Sequence, residues 1–388
     1  MTSGHPLRIC FVYDCLYPWT VGGAERWMTA LARHAADRGH IVTYITRRQW
    51  DDAAPPEIDG VRVIAVSRQE DLYDAQGRRT IGEPIRFGWG VYRHLRAHAD
   101  DYDVIHVHAT PLFGALGAGW AARRRDARVF VDWAEVWTRA YWTSYLGVIS
   151  GTIAWATQRA CVRMTQHAFV PSRLHAQRLL DEGLQGGLTR LSGQFDGVIE
   201  TAPMPASSDP VVVFAGRHIP EKGVLAIPDA IIAARRAVPD LRARILGDGP
   251  DFVELQQRVA DLGLQSVIDL PGFIDTEDVG RAIGSATCML LPSTREGYGL
   301  VVVEAAAKGT PSIVVAHPDN AAVELIDEGV NGFVAASQSP EDLAACIVKA
   351  IQGGATLRES TWQWAVAKGP DMTVSRSMAQ VLAAYETA

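Results

Sequence analysis

Short apolar runs that stop at a proline or glycine and lead through a small-residue turn into a helix recur along this chain, and that pattern restricts it to alternating strands and helices. The clearest instance is Cys288 to Leu291, closed by Pro292 and followed by the turn Glu-Gly-Tyr-Gly at 296–299. A helix is then predicted over Leu300 to Lys308, ended by Gly309, with Pro311 opening the next strand. The turn therefore sits at the carboxyl end of a buried strand, where ligands collect in open α/β sheets. Its small residues let backbone N–H groups come close to an anionic ligand. Glu304 follows Glu296 by eight positions, which puts one carboxylate at the mouth of the helix and a second about a turn inside it.

The same grammar reads from the start. Arg8 to Tyr13 is a strand, Asp14 to Gly23 the loop leaving it, and Ala24 to Arg38 a helix with Trp27, Leu31 and Ala35 on one face. Gly22 and Gly23 expose N–H donors at the positive end of that helix, which suits a phosphate or a polar acceptor; a tight turn needing no ligand is the other reading. Further strands are predicted at Ile41–Thr46, Val61–Val66, Asp103–His108 and Ala127–Val131, with a helix at Gly114–Arg123. Ala168 to Val170 reads as the last strand of the first half, and Ser172 as the cap of a helix through Leu180. Glu200 to Pro210 has three prolines and no apolar period, and reads as a linker. Beyond it come strands at Val211–Phe214, at Arg242 leading to the turn at Gly247, at Val267–Leu270 and at Gly332–Val334. Helices are predicted at Thr276–Ala286, Pro340–Ile351 and Val374–Tyr385.

At 388 residues, with 48% hydrophobic and 21% charged positions, the chain has material for two cores. A net charge of −7 argues against nucleic acid as a partner, and the runs Arg123–Arg125 and Arg235–Arg236 read as solvated helix faces or ends. Five scattered cysteines without a Cys-x-x-Cys pair fit a reducing compartment, here the cytoplasm. Met1 to Pro6 is polar and leads into the run Ile9 to Tyr13, which is too short for a signal-peptide core and reads as a first strand, and no apolar run approaches the length needed to span a bilayer.

The segment after Val131 is dense in aromatics. Trp133, Trp137, Tyr141, Trp142 and Tyr145 admit core packing, contact with an acceptor ring, or contact with a membrane surface, and the mild apolar run Leu146 to Ala156 adds weight to the last. His106 and His108 alternate along a strand as a metal pair would, but no further ligand cluster accompanies them and no metal is expected.

The run from Glu296 to Pro311 resembles the Glu-x7-Glu signature of the retaining, nucleotide-sugar-dependent glycosyltransferases of family 4, which have the GT-B fold. Gly22-Gly-Ala-Glu-Arg26 resembles the amino-terminal pattern of that family, and Gly216-Arg-His-Ile-Pro-Glu-Lys-Gly223 its donor-diphosphate motif. The resemblance implies an α/β architecture of two Rossmann-like, doubly wound domains facing across a cleft. Residues 1–200 would bind the acceptor and 201–370 the nucleotide sugar, with a helix at 371–388 returning to the first domain. It also implies that Glu296 faces the donor sugar, that Glu304 holds the ribose, and that Arg217 and Lys222 clamp the diphosphate. Gly22, Gly23, Gly247, Phe273, Ile274, Gly297, Tyr298, Gly299 and Leu300 would complete the donor site.

Family members commonly carry a histidine near the reacting sugar in the loop after Val131, and none occurs between Val129 and Thr165. Asp132 or Glu135 would take that place, with Trp133, Glu135, Trp137 and His108 towards the acceptor. The implied reaction moves a sugar from a nucleotide diphosphate sugar, a UDP-sugar favoured, to a hydroxyl of a saccharide, glycolipid or small natural product. Configuration would be retained, with neither cofactor nor metal. A binding protein that has lost transfer and a nucleotide-sugar epimerase of related fold are the alternatives. A nicotinamide dehydrogenase is disfavoured, since neither half has Gly-x-Gly-x-x-Gly after its first strand.

Overall fold

Parallel strands covered by helices on both faces account for nearly all the apolar runs. The computed structural model describes residues 5–20, 22–52, 54–70, 72, 80, 82–123 and 127–387; Arg124 and Arg125 of the basic run and the first four residues of the start lie outside the described residues. The chain divides into two compact units, 1–191 with 377–388 and 192–376.

The first unit runs β1 (Arg8–Val12), α1 (Gly23–Asp37), β2 (Ile41–Arg47), β3 (Val61–Ser67), α2 (Gly82–His98), β4 (Val104–His108), α3 (Leu112–Ala122), β5 (Arg128–Asp132), α4 (Arg139–Leu146), α5 (Val148–Val162), β6 (Thr165–Val170), α6 (Arg173–Glu182) and β7 (Gln185–Arg190). Its strands form one parallel sheet in the order β3-β2-β1-β4-β5-β6-β7. Strand order reverses between β1 and β4, so that crevice is the topological switch point of the unit. Central strands such as β1 and β4 are buried along almost their whole length, β1 through an apolar run and β4 with His106 and His108 among its apolar residues, as expected for a sheet with helices on both faces.

The second unit comprises β8 (Val211–Ala215), α7 (Ile227–Arg235), β9 (Arg242–Leu246), α8 (Phe252–Asp261), β10 (Ile268–Gly272), α9 (Thr276–Ser285), β11 (Cys288–Leu291), β12 (Arg295–Glu296), α10 (Leu300–Ala306), β13 (Ser312–Val315), β14 (Asp319–Asn320), β15 (Gly332–Ala335) and α11 (Pro340–Lys368). Six strands make a parallel sheet, β10-β9-β8-β11-β13-β15, with its switch point between β8 and β11. The two-residue strands β12 and β14 pair separately beside it. Helix α12 (Val374–Thr387) ends the described chain, and from Ser377 on it belongs to the first unit. There Tyr385 is fully buried against Phe130 of β5, ring centroids 4.8 Å apart.

Several elements differ from the sequence reading. The last strand of the first unit is β7, not the strand ending at Val170; Gln-Gly-Gly-Leu-Thr-Arg has no apolar run because it lies at the sheet edge. Helix α2 is disguised by Gly88 and Gly90, which let neighbours approach: a Cβ on Gly88 would stand 2.4 Å from the Phe113 carbonyl oxygen of α3. Helix α11 runs on to Lys368 through a kink at Gly354. The proline-rich stretch is not a free linker. Its amides donate from Glu200 to Ala307, from Met204 to Lys308 and from Ser207 to Ser285, at 3.0, 3.0 and 2.8 Å, which straps it to the second unit. The division therefore falls earlier than residue 200, at Leu191, because Phe195 is already part of the second core and exchanges backbone hydrogen bonds with Met372 and Val374.

Candidate active site

The switch point of the second unit gathers the charges that the sequence singles out. Strand β8 delivers the loop Gly216–Gly223, and β11 delivers Pro292–Gly299. Lys222 ends a 3-10 turn begun by Pro220, and its ammonium donates to Glu296 Oε1 at 2.6 Å. One residue earlier on each loop, Arg295 and Glu221 approach to 3.3 Å, and the Thr294 amide donates to the Glu221 carbonyl at 2.9 Å. Two adjacent ion pairs and a backbone bond thus join the loops. Arg217, five residues before Lys222, is exposed on the same loop. Such a loop can present two cations to an anion, one already placed by a carboxylate and one free to move.

Gly247 follows β9 with φ +121°, and a Cβ there would lie 1.9 Å from the Gly216 carbonyl oxygen. Only glycine lets the exits of β8 and β9 run this close. The Gly247 amide donates to Gly272 at 2.9 Å, bringing the exit of β10 into the same row. Phe273, next in that exit, is strongly exposed, whereas Ile274 packs partly on the core. Tyr298 and Gly299 are buried, Gly297 and Leu300 half-buried, and Glu304 is half-buried on α10.

Asn320 was not anticipated. It is buried on β14, donates to the Ser293 and Val315 carbonyls at 3.0 and 2.8 Å, and accepts from the Ala322 amide at 3.0 Å. It therefore fixes the strand that pairs with β12 and carries Glu296. The Pro-Asp-Asn run after a predicted strand was the available signal, since Asn commonly bonds backbone two residues on.

In the first unit, Gly22 is the extended N-cap of α1, and Gly23 opens the helix onto free space. Asp132 ends β5 and is buried. Its Oδ2 accepts from Trp27 Nε1 of α1 at 2.6 Å and stands 2.9 Å from His106 Nε2 of β4; His106 Nδ1 in turn meets the Tyr385 hydroxyl. Burial pushes the Asp132 carboxyl up, but the attraction of His106 and His108 and the hydrogen bond from Trp27 outweigh it and hold it below the usual carboxylate range. This carboxylate ties β4, β5 and α1 together, and His106 carries the connection on to α12.

His108 is also buried, its Nδ1 2.8 Å from the Thr110 carbonyl oxygen, so it lies in the unit without a metal-like arrangement; no cluster of three metal-ligating side chains occurs among the described residues. Trp133 does not face an acceptor. It is a core residue whose Nε1 donates to Gln166 at 2.9 Å, because β5 continues the apolar pattern one residue past its carboxyl end. Glu135 and Trp137 remain half-buried and bond each other at 2.6 Å.

Comparison with known proteins fits this geometry. Residues 202–362 match the family model "Glycosyl transferases group 1", and 22–191 match "Glycosyl transferase 4-like domain". The alpha-D-kanosaminyltransferase of Streptomyces kanamyceticus is 32% identical over 125 residues, 32% of each chain, so the match spans about a third of that relative's length. A GDP-mannose-dependent alpha-mannosyltransferase of Corynebacterium glutamicum is 23% identical over 343 residues, 85% of this chain and 76% of that one. The structure of Anabaena HepE in complex with UDP superposes with a TM-score of 0.74 at 17% identity, covering 98% of this chain and 100% of that one. With a family model matched in each half and the same architecture along the whole length, the chain belongs to the GT-B glycosyltransferases of family 4.

Proposed function

We propose that the protein transfers a glycosyl group from a nucleotide diphosphate sugar, a UDP-sugar favoured, to a hydroxyl of a saccharide, glycolipid or small natural product, with retention of configuration. The observation that carries the reading is the Lys222–Glu296 pair at the switch point of the second sheet, with Arg217 exposed on the same loop. The bond from the anomeric carbon to the diphosphate oxygen breaks, and one to the acceptor oxygen forms on the same face. The acceptor proton passes to the departing diphosphate. Arg217 and Lys222 offset the charge that builds on that diphosphate, which asks for no metal. Glu296 then orients Lys222 and meets the sugar hydroxyls, Glu304 holds the ribose, and Gly247, Phe273 and Ile274 border the base. UDP in the related HepE structure supports this donor class, and the GDP-mannose-dependent relative keeps GDP in contention. Five cysteines, all free and buried, support a reducing, cytoplasmic setting.

A second reading, a binding protein without transfer, is favoured by one observation: where the family resemblance leads one to expect a histidine stands Asp132, a buried carboxylate whose Oδ2 is taken up by Trp27 and His106. Calorimetric titration of UDP, GDP and dTDP into wild type and Glu304→Ala tests the donor site. One nucleotide should bind wild type, and about tenfold less tightly the variant, for a lost charged hydrogen bond. Acceptor-dependent nucleotide release then separates the two readings, with product configuration read by NMR. No binding of any nucleotide would overturn the donor assignment.

A further inference from the structure

The helical hairpin α4–α5 between β5 and β6 exposes a cap of large apolar side chains that its own packing does not use. No charged residue occurs from Ala140 to Gln158. The hairpin is held from below. Gln158 Oε1 accepts from the Trp137 amide and from Trp142 Nε1, both at 3.1 Å, and Gln158 Nε2 donates back to the Trp137 carbonyl at 2.8 Å. A Cβ on Gly151 would lie 2.2 Å from the Trp142 carbonyl oxygen, so the two helices meet backbone to backbone. Trp137 packs on Tyr141, Trp142 and Tyr145, with ring centroids 4.7, 4.4 and 5.6 Å apart. At the far end Val148 is 75% exposed, Ile149 78% and Ile153 61%, beside exposed Tyr145 and Leu146.

A contiguous apolar cap of this kind marks an interaction surface. Its surroundings choose the partner. From Tyr145 to Ile153 the only polar side-chain groups are the hydroxyls of Tyr145, Ser150 and Thr152, the last turned back onto the Val148 carbonyl, which leaves a folded protein little to pair with. Below it, residues 133–164 carry Arg139, Arg159 and Arg163 against the single Glu135, in a chain of net charge −7. Arg139 and Arg159 lie over Trp155 at 5.4 and 5.3 Å from its centroid; Arg159 also reaches Glu182 at 3.4 Å, and Arg163 donates to the Glu182 carbonyl. Apolar apex, aromatic layer and cationic base follow the order of hydrocarbon, interface and anionic headgroup. No helix among the described residues is long and apolar enough to cross a membrane.

We propose that the α4–α5 apex, Tyr145 to Ile153, dips into the headgroup boundary of an anionic bilayer and holds the protein peripherally at its surface. This stands whether or not the chain transfers sugar. The test is flotation of the full chain with vesicles of phosphatidylcholine alone and of phosphatidylcholine containing one-third phosphatidylglycerol. Wild type should float with the anionic vesicles, and Val148→Asp/Ile149→Asp about tenfold less, with an unchanged circular dichroism spectrum since both positions are exposed. Arg163→Gln should weaken flotation severalfold and reduce its salt dependence. Absence of wild-type flotation with either vesicle, or flotation of the double variant equal to wild type, would overturn the proposal. So would light scattering that finds a wild-type dimer made monomeric by the double substitution, which would assign the apex to a second copy of the chain.

Discussion

Replacing Lys222 by Met strands a carboxylate. Lys222 Nζ stands 2.6 Å from Glu296 Oε1, the lysine side chain 22% exposed and the glutamate 9%. Removing one partner of a fully buried pair costs about 3–5 kcal/mol, and an exposed pair is worth about 0–1 kcal/mol. This lysine is partly open to solvent, which places Lys222→Met near 2 kcal/mol, to be read as a lowered urea midpoint. Glu296→Gln behaves differently. The amide oxygen still accepts from the ammonium, and the charge left behind is the better-solvated lysine, so the cost is about 1 kcal/mol or less. The stability asymmetry follows from burial alone and needs no ligand.

Turnover supplies the second half of the same experiment. If Lys222 neutralises a leaving diphosphate, its removal lowers kcat by about a hundredfold or more, the range seen for single groups that stabilise charge in a transition state. Lys222→Arg keeps the charge and should recover part of it, though with altered geometry. Acceptor KM should change little in either variant. Equal stability of Lys222→Met and Glu296→Gln would refute the stranded-charge argument. A Lys222→Met enzyme with wild-type kcat would refute the assignment to the diphosphate.

Two further outcomes rest on buried charges elsewhere. Asp132 has a depressed folded pKa, so its stabilisation is complete above the unfolded carboxyl value near 4 and is lost as pH falls through the lower folded value. Asp132→Asn should therefore flatten the acid limb of a stability–pH curve below about pH 4, where wild type is still losing this contribution. Arg358 of α11 is buried and donates to the Ala286, Gly284 and Met204 carbonyls at 2.6, 2.7 and 3.0 Å. Arg358→Met leaves these carbonyls without that donor and should cost about 3 kcal/mol in urea unfolding, with nucleotide binding unchanged in the fraction that stays folded.

Most strands of both sheets were legible because a parallel strand buried on both faces is mainly apolar, and Cys288–Leu291 or Ile9–Val12 has no other use. Where burial was one-sided or the helices touched through glycine, the signal faded. Strand β7 sits at an edge and carries Gly186 and Gly187, while α2 hides behind Gly88 and Gly90, residues present for close approach rather than for turning. The strap over 200–210 was read as free chain because prolines and small residues describe both a linker and a segment hydrogen-bonded by its backbone alone. Only the partners distinguish them, and these lie about a hundred residues away at Ser285, Ala307 and Lys308.

The site divides along the same line. Lys222 and Glu296 could be linked beforehand because each lies just beyond a strand that borders the switch point, so topology brings their loops together. Asp132 stands at an equally favourable strand end, yet its surroundings come from α1, β4 and α12, and Tyr385 is 279 residues from His106. No local pattern announces that convergence. A carboxylate at a strand end stays open to a ligand when its partner is itself open to solvent. Glu296 is paired with a lysine side chain 22% exposed, whereas the partners of Asp132 are an indole and an imidazole buried in a core. Polar groups so enclosed hold geometry, and through its Oδ2 Asp132 fixes α1, and with it the Gly22–Gly23 helix mouth, against the sheet.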